Sequence, residues 1–212
     1  MKRLWLGWLV VAALWAGTAA VFPRLPETLP THWNLAGEAD GWSPKMPGAF
    51  LLPLIATSVL VLLPVLRRAD PRRGNLERFG EFGLVLNLTV LFMALVHALS
   101  LAAAVGVAVD VTGVVLAGLG LFLVGLGNYL PRLRSNWWMG VRTPWTLSSD
   151  RVWQRTHRFA GRLMVACGVG LFPIALLPAD ARGWAVLPVL AVLTAAPVAY
   201  SYLAWRRETR GA

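Results

Sequence analysis

Six stretches of this chain run for the length of a membrane crossing with almost no charge, and nothing else in the sequence constrains the fold as strongly. They are Leu4–Phe22, Phe50–Leu66, Leu84–Val105, Val111–Leu130, Phe159–Leu177 and Trp184–Trp205. A helix needs about 20 apolar residues to cross the hydrocarbon core. Helices on the surface of a soluble domain would show polar residues at every turn, and these do not. Composition agrees, since 57% of the 212 residues are hydrophobic and only 14% are charged, against about a half and a quarter in soluble domains. The expected fold is therefore all-α, a polytopic membrane protein with six transmembrane helices. Prolines at 53, 64, 173, 188 and 197 are compatible with it, because neighbouring helices can satisfy the carbonyls they free.

The basic residues set an orientation. With Lys2 and Arg3 in the cytoplasm and the helices alternating, the inner segments collect Arg67, Arg68, Arg72, Arg73, Arg78, Arg132, Arg134, Arg142, Arg151, Arg155, Arg158, Arg162, Arg206, Arg207 and Arg210. Only Arg24, Lys45 and Arg182 remain outside. Short cytoplasmic loops are the basic ones, so both termini are expected inside, in a bacterial cytoplasmic membrane. A competing reading takes Met1-Lys-Arg, the first apolar run and the small residues 16–20 as a cleavable secretory signal. The length of that run and Trp5, Trp8 and Trp15 suit a retained helix better, and cleavage would not flip the remaining five. The net charge of +10 invites a nucleic-acid reading. Dispersal of the charges around helix ends argues against direct nucleic-acid binding. The single cysteine, Cys167, excludes an intramolecular disulfide and a thiolate metal cluster.

Inside the third apolar run, Asn87, His97 and Ser100 are polar groups at membrane depth, costly unless they face protein or water. His97 and Ser100, three residues apart, share a helical face. They fit an interhelical hydrogen bond or, with more ionisable groups than are present, a proton path. The fourth run carries Gly113, Gly120 and Gly127 at seven-residue spacing, with Gly118 and Gly125 as a parallel pair. Each set lies on one face and allows close approach of a neighbouring helix.

Two loops carry the remaining information, and they suggest a division into a two-helix hairpin over 1–66, with an ordered outer loop at 23–47, and a four-helix region over 67–212, with an inner loop at 127–158. Three prolines and the Asp40-Gly41 turn signal make the outer loop an ordered cap, with Trp33 and Trp42 at headgroup level. His32, Glu38 and Asp40 could in principle hold a metal, but one histidine without cysteine is a poor ligand set, so neither metal nor cofactor is expected. Glu27, Glu38 and Asp40 are equally unconvincing as a catalytic carboxylate pair.

In the inner loop, Pro144 holds Thr143 extended, and Ser148 is the expected N-cap of the next helix, with Asp150 in its first turn. Along that helix Arg151, Arg155, Arg158 and Arg162 form one cationic stripe with Val152, Trp153 and Ala160 off it. Four arginines near an anionic surface contribute at most about 4 kcal/mol, small beside six inserted helices, so anchoring is not the purpose of the stripe. Arg142, in its stiff setting, is expected to pin the loop through a forked contact that could involve Asn128.

The segment Gly140-Val-Arg-Thr-Pro-Trp-Thr-Leu147, followed by Val152-Trp153 and preceded by Gly127-Asn128, resembles the SdpI family of bacterial membrane proteins, named for immunity to a secreted killing peptide. The stretch Leu29-Pro-Thr-His-Trp-Asn34 with Gly37 to Lys45 is similar to a small unassigned domain often found at the front of such proteins. The resemblance marks Asn128, Gly140, Arg142, Thr143, Pro144, Trp145 and Trp153 as the inner signature, and His32, Asn34, Gly37, Asp40, Gly41, Trp42 and Lys45 as the outer one. It brings no catalytic residue. It implies an immunity or signalling protein with the lipid bilayer, a peptide toxin outside and a small repressor inside as partners. The alternative is a small-solute or lipid transporter using the polar face around Asn87 and His97. An enzyme would need a nucleophile or metal beside a positioned base, and His32, His97 and His157 are far apart in sequence.

Overall fold

The computed structural model describes residues 4–34 and 36–210. Lys2 and Arg3, on which part of the orientation argument rests, lie outside the described residues. Ten elements follow one another: α1 (Trp5–Val21), β1 (Thr28–Trp33), β2 (Ala39–Pro44), α2 (Lys45–Leu66), α3 (Arg73–Arg78), α4 (Phe82–Ala104), α5 (Val111–Tyr129), α6 (Pro144–Ser148), α7 (Asp150–Ala175) and α8 (Ala179–Arg210). Helices α1, α2, α4, α5, α7 and α8 are long and apolar enough to cross a membrane. Their outward faces carry large apolar side chains, among them Leu9, Leu54, Leu62, Leu121, Val169 and Leu187. Such a surface is stable only against lipid.

The six spans pack as two triplets joined along α4 and α5. Val11, Leu14, Ala56, Leu60, Leu86 and Val90 bind α1, α2 and α4 together. Leu116, Leu123, Leu171, Ala175 and Val186 bind α5, α7 and α8. Between the triplets Phe92 stacks on Phe122 with centroids 5.3 Å apart.

The glycines of α5 explain the closest of these contacts. On one face, a Cβ at Gly120 would stand 2.7 Å from the Gly168 carbonyl oxygen, and one at Gly127 would stand 2.6 Å from that of Gly161. Gly113 faces the Ala175 carbonyl. The seven-residue seam on α5 thus meets a reciprocal antiparallel seam on α7, Gly161, Gly168 and Ala175. Small residues let the two backbones touch. The second face forms another antiparallel seam, against α4, with Gly118 against Leu95 and Gly125 against Leu88.

One element lies outside the all-helical expectation. Thr28–Trp33 and Ala39–Pro44 pair as an antiparallel hairpin, β1 on β2, with register irregularities between Pro30 and His32 and between His32 and Trp33. Backbone pairing explains it: Pro30 keeps the first strand from becoming helix, and the amides are satisfied across the hairpin instead. The α7 cap also differs from expectation. Ser149 rather than Ser148 caps α7, its Oγ accepting from the Val152 amide at 3.2 Å. Ser148 is the last residue of the short helix α6, which is capped by Thr143.

Candidate functional site

The bundle has two distinct ends, fixed by side-chain bonds between loops. At one, the hairpin covers the bundle: Ser100 Oγ donates to the Pro30 carbonyl (2.8 Å) and Thr112 Oγ1 to the Asn34 carbonyl (3.3 Å). Leu25, Leu29 and Ala49 form a buried cluster beneath it. This matches the ordered cap expected of the loop. Asp110 caps α5 and holds Arg182 through two hydrogen bonds of 2.6 and 2.5 Å. The Arg182 guanidinium, and the Gly113 amide after it, keep the Asp110 carboxyl below the usual carboxylate range, although partial burial opposes them.

The outer signature residues are mostly structural parts of the hairpin. His32 Nδ1 bonds Asp40 Oδ1 at 2.5 Å on the exposed face. Asn34 and Glu38 bond reciprocally across the tip, where Gly37 adopts φ +87°. Gly41 lies opposite His32, where a Cβ would stand 2.7 Å from that of His32. Lys45 places its ammonium over the Phe22 ring, and Trp42 is exposed. Glu38 and Asp40 thus serve different partners, and no group of three metal-ligating side chains occurs among the described residues.

At the membrane level, Asn87 accepts the Gly7 amide (3.0 Å) and His97 Nε2 meets Thr18 Oγ1 (2.7 Å). With Ser100 bonded to the hairpin, Asn87, His97 and Ser100 tie α4 to α1 and the cap, while Thr89 bonds the Val85 carbonyl of its own helix. They do not converge on one polar path, which weakens the transporter reading.

The other end holds the inner signature. Its loop is locked from within. Asn136, fully buried, accepts the amides of Trp138 (2.9 Å) and Met139 (2.7 Å) and donates to the Arg134 carbonyl (2.9 Å). Trp153, also fully buried, donates its indole N–H to the Leu133 carbonyl (2.7 Å). The His157 ring stacks on Trp153, centroids 4.0 Å apart. His157 Nδ1 meets the Trp153 carbonyl (2.8 Å), and Nε2 accepts the Val141 amide (3.1 Å). Those two partners require the neutral tautomer with its hydrogen on Nδ1. Gly140 turns the chain over this ring at φ +98°. Thr146 Oγ1 donates to the Val141 carbonyl (2.8 Å), and Thr143 meets Ser201 of α8 (3.0 Å).

The loop between α2 and α4 clamps the signature from the side. Asp70 accepts the Arg72 and Trp137 amides, Asn75 donates to the Ser135 carbonyl, and Arg72 donates to the Leu147 carbonyl. Ser149 donates to Glu208 at the end of α8 (2.8 Å).

Arg142 does not play the expected part. It is exposed and donates to the Trp137 carbonyl. Asn128 is spent on its own helix, donating to the Val124 carbonyl. The loop is pinned by Asn136, Thr146, His157 and Asp70, none of them singled out in the sequence, because their partners are backbone amides and carbonyls that no spacing reveals. Pro144 occupies the first turn of α6, and Trp145 packs on Tyr202. Arg151, Arg155, Arg158 and Arg162 lie exposed along α7, with Val152, Trp153 and Ala160 buried behind them, as their spacing requires. Beneath the loop lies an apolar pocket of about 290 Å³ lined by Phe79, Leu126, Tyr129, Leu133, Met139 and Met164 among others.

Residues 132–201, which include this whole locked loop and its arginine stripe, match the SdpI/YfhL protein family. Over that stretch the chain resembles that family. Asn128 falls just before the matched stretch. Residues 9–57, covering most of α1, the hairpin and just over half of α2, match a domain of unknown function, DUF1648. A relative from Bacillus subtilis (strain 168), Immunity protein SdpI, is 24% identical over 177 residues, covering 84% of this chain and 82% of its own length. No solved structure matches the chain. With its six candidate spans, the chain is thus a multi-pass cell membrane protein.

Proposed function

We propose that this chain, which resembles the SdpI/YfhL family over residues 132–201, is a non-enzymatic immunity and signalling protein. Its hairpin faces outward, protecting the membrane against a peptide toxin, and its signature loop faces the cytoplasm, where it tethers a soluble partner. The observation that carries this reading is the internal locking of the signature loop. Asn136, Thr146, His157 and Trp153 use their polar atoms on the loop's own backbone, so the exposed Trp137, Trp138 and Arg142 are presented on a rigid surface. Pre-organised aromatic and arginine side chains suit binding. Both His157 ring nitrogens are engaged, which leaves it no free base with which to activate a nucleophile.

The sidedness rests on charge. Bonds between loops gather Arg67 to Arg78, Arg132 to Arg162 and Arg206 to Arg210 at one end, with Arg24, Lys45 and Arg182 at the other. That asymmetry favours the signature end inside. Fusions of a reporter active only in the cytoplasm test it. Activity is expected at residues 75, 145 and 212 and absent at 45, 109 and 181; activity at 45 or 181 refutes the orientation.

Immunity is tested by expressing the chain in a bacterium sensitive to a secreted killing peptide of the class for which the family is named. Survival is expected to rise with expression and to fall when the hairpin is disrupted. Unchanged survival, with insertion verified, rejects the protective role.

A further inference from the structure

On the outer face of α7, three positions of the arginine stripe gather where Tyr200 of α8 stacks on Phe159. Arg155, Arg158 and Arg162, with Phe159 and with Tyr200 of α8, enclose a pocket of about 280 Å³. Phe159 and Tyr200 form its base, their rings nearly parallel at 7° with centroids 4.4 Å apart. Spacings of three and four put these α7 residues on one face.

Among the described residues none of the three arginines forms an ion pair. Four of the five acids at this end are committed elsewhere, Asp70 to the amides of Arg72 and Trp137, Asp150 to Ser135, Glu81 to Arg132, and Glu208 to Ser149 and Arg151, while the fifth, Glu77, lies exposed on α3. Three guanidiniums around one small cavity are a recognition set for a multidentate oxyanion, and phosphate offers the matching acceptors.

Position argues for a lipid source. Arg162 follows Gly161, which packs on Gly127 and Pro131 where α5 ends, and no further charge occurs on α7 until Asp180 begins α8. The pocket therefore sits at the boundary between headgroups and hydrocarbon. The same face of α7 continues through Ala166 and Val169, both exposed and apolar, as a track for acyl chains. Tyr200, Tyr202 and Trp205 supply interfacial aromatics on α8.

We infer that this pocket between α7 and α8 binds the headgroup phosphate of an anionic phospholipid. The purified full chain is titrated with phosphatidylglycerol and with phosphatidylcholine, and bound lipid is read by native mass spectrometry. Wild-type protein is expected to prefer phosphatidylglycerol. Arg158→Gln/Arg162→Gln should lower that affinity about tenfold or more, while Arg73→Gln/Arg78→Gln, exposed at the same end, should not. Equal losses in both double variants would mean diffuse surface attraction and overturn the site. Two measurements on the wild-type chain stand even if a variant misfolds. Absence of a phosphatidylglycerol preference overturns the inference. So does displacement of the lipid by millimolar inorganic phosphate, which would make free phosphate the ligand.

Discussion

Gly140 lies against His157 so closely that a Cβ at position 140 would stand 2.2 Å from the imidazole Nε2, the atom that accepts the Val141 amide. The contact joins the most sharply turned point of the signature loop to the buried Trp153–His157 stack of α7. Gly140→Ala should therefore cost about 2–4 kcal/mol, from the left-handed backbone and from displacing the ring. Gly106, at φ +84° with nothing within 4 Å of where a Cβ would stand, is the comparison. Gly106→Ala carries only the backbone cost, about 1–2 kcal/mol. Thermal unfolding in one detergent should rank the two in that order, and equal midpoints would remove the ring contact as a determinant.

The glycine seams predict an order opposite to raw distance. A Cβ at Gly118 would stand 2.2 Å from a Leu95 methyl, nearer than one at Gly120 to the Gly168 carbonyl at 2.7 Å. Leu95 can change rotamer, whereas the Gly168 carbonyl belongs to the α7 backbone. Gly120→Ala should therefore separate α5 from α7 and destabilise. Gly118→Ala should be close to neutral, since the gain in helix propensity of about 1 kcal/mol offsets the repacking. Gly17, with nothing within 4 Å, should tolerate alanine with a small gain. Denaturant midpoints of the three variants decide, and a Gly118 variant weaker than the Gly120 variant contradicts the seam.

The Asp110–Arg182 pair gives a pH dependence. The folded carboxyl titrates below its ordinary value because Arg182 and the Gly113 amide bond its charged form. A depressed carboxylate contributes stability that is complete above the unfolded value, about pH 4, and is lost as pH falls through the folded one. Wild-type protein should thus exceed Asp110→Asn in stability at pH 6, and the difference should shrink below about pH 4. A gap that persists undiminished at pH 3 rules this linkage out.

Asn136 and Arg142 test what holds the signature loop. Asn136→Ala removes three hydrogen bonds at a fully buried position and should cost on the order of 2–3 kcal/mol. Arg142→Ala removes an exposed bond to the Trp137 carbonyl and should cost less than about 1 kcal/mol. Arg142→Lys should resemble wild type in stability. A larger loss at Arg142 would restore the arginine as the pin.

The hairpin shows where reading the chain alone stopped short. Its prolines announced an ordered loop, but Asp40-Gly41, read as a turn, lies inside β2, and the strand pairing was not legible because Thr28–Trp33 and Ala39–Pro44 lack an alternating apolar pattern. Likewise the α5 glycines at 113, 120 and 127 were legible as a seam, while their partners Gly161, Gly168 and Ala175 were assigned only by the antiparallel docking of α7.

By itself the sequence determined the six spans, the exposed arginine face of α7 and the signature by which the chain resembles the SdpI/YfhL family. These follow from local rules: apolar length, helical period, and an eight-residue run at 140–147. Tertiary structure alone decided that Asn87, His97 and Ser100 serve α1 and the cap, that Arg142 yields its expected role to Asn136 and His157, and that Tyr200 closes a pocket with three arginines. In each case the partner lies dozens of residues away or on the backbone. Inside a bilayer a polar group must find such a partner, and which one it finds depends on how the helices dock.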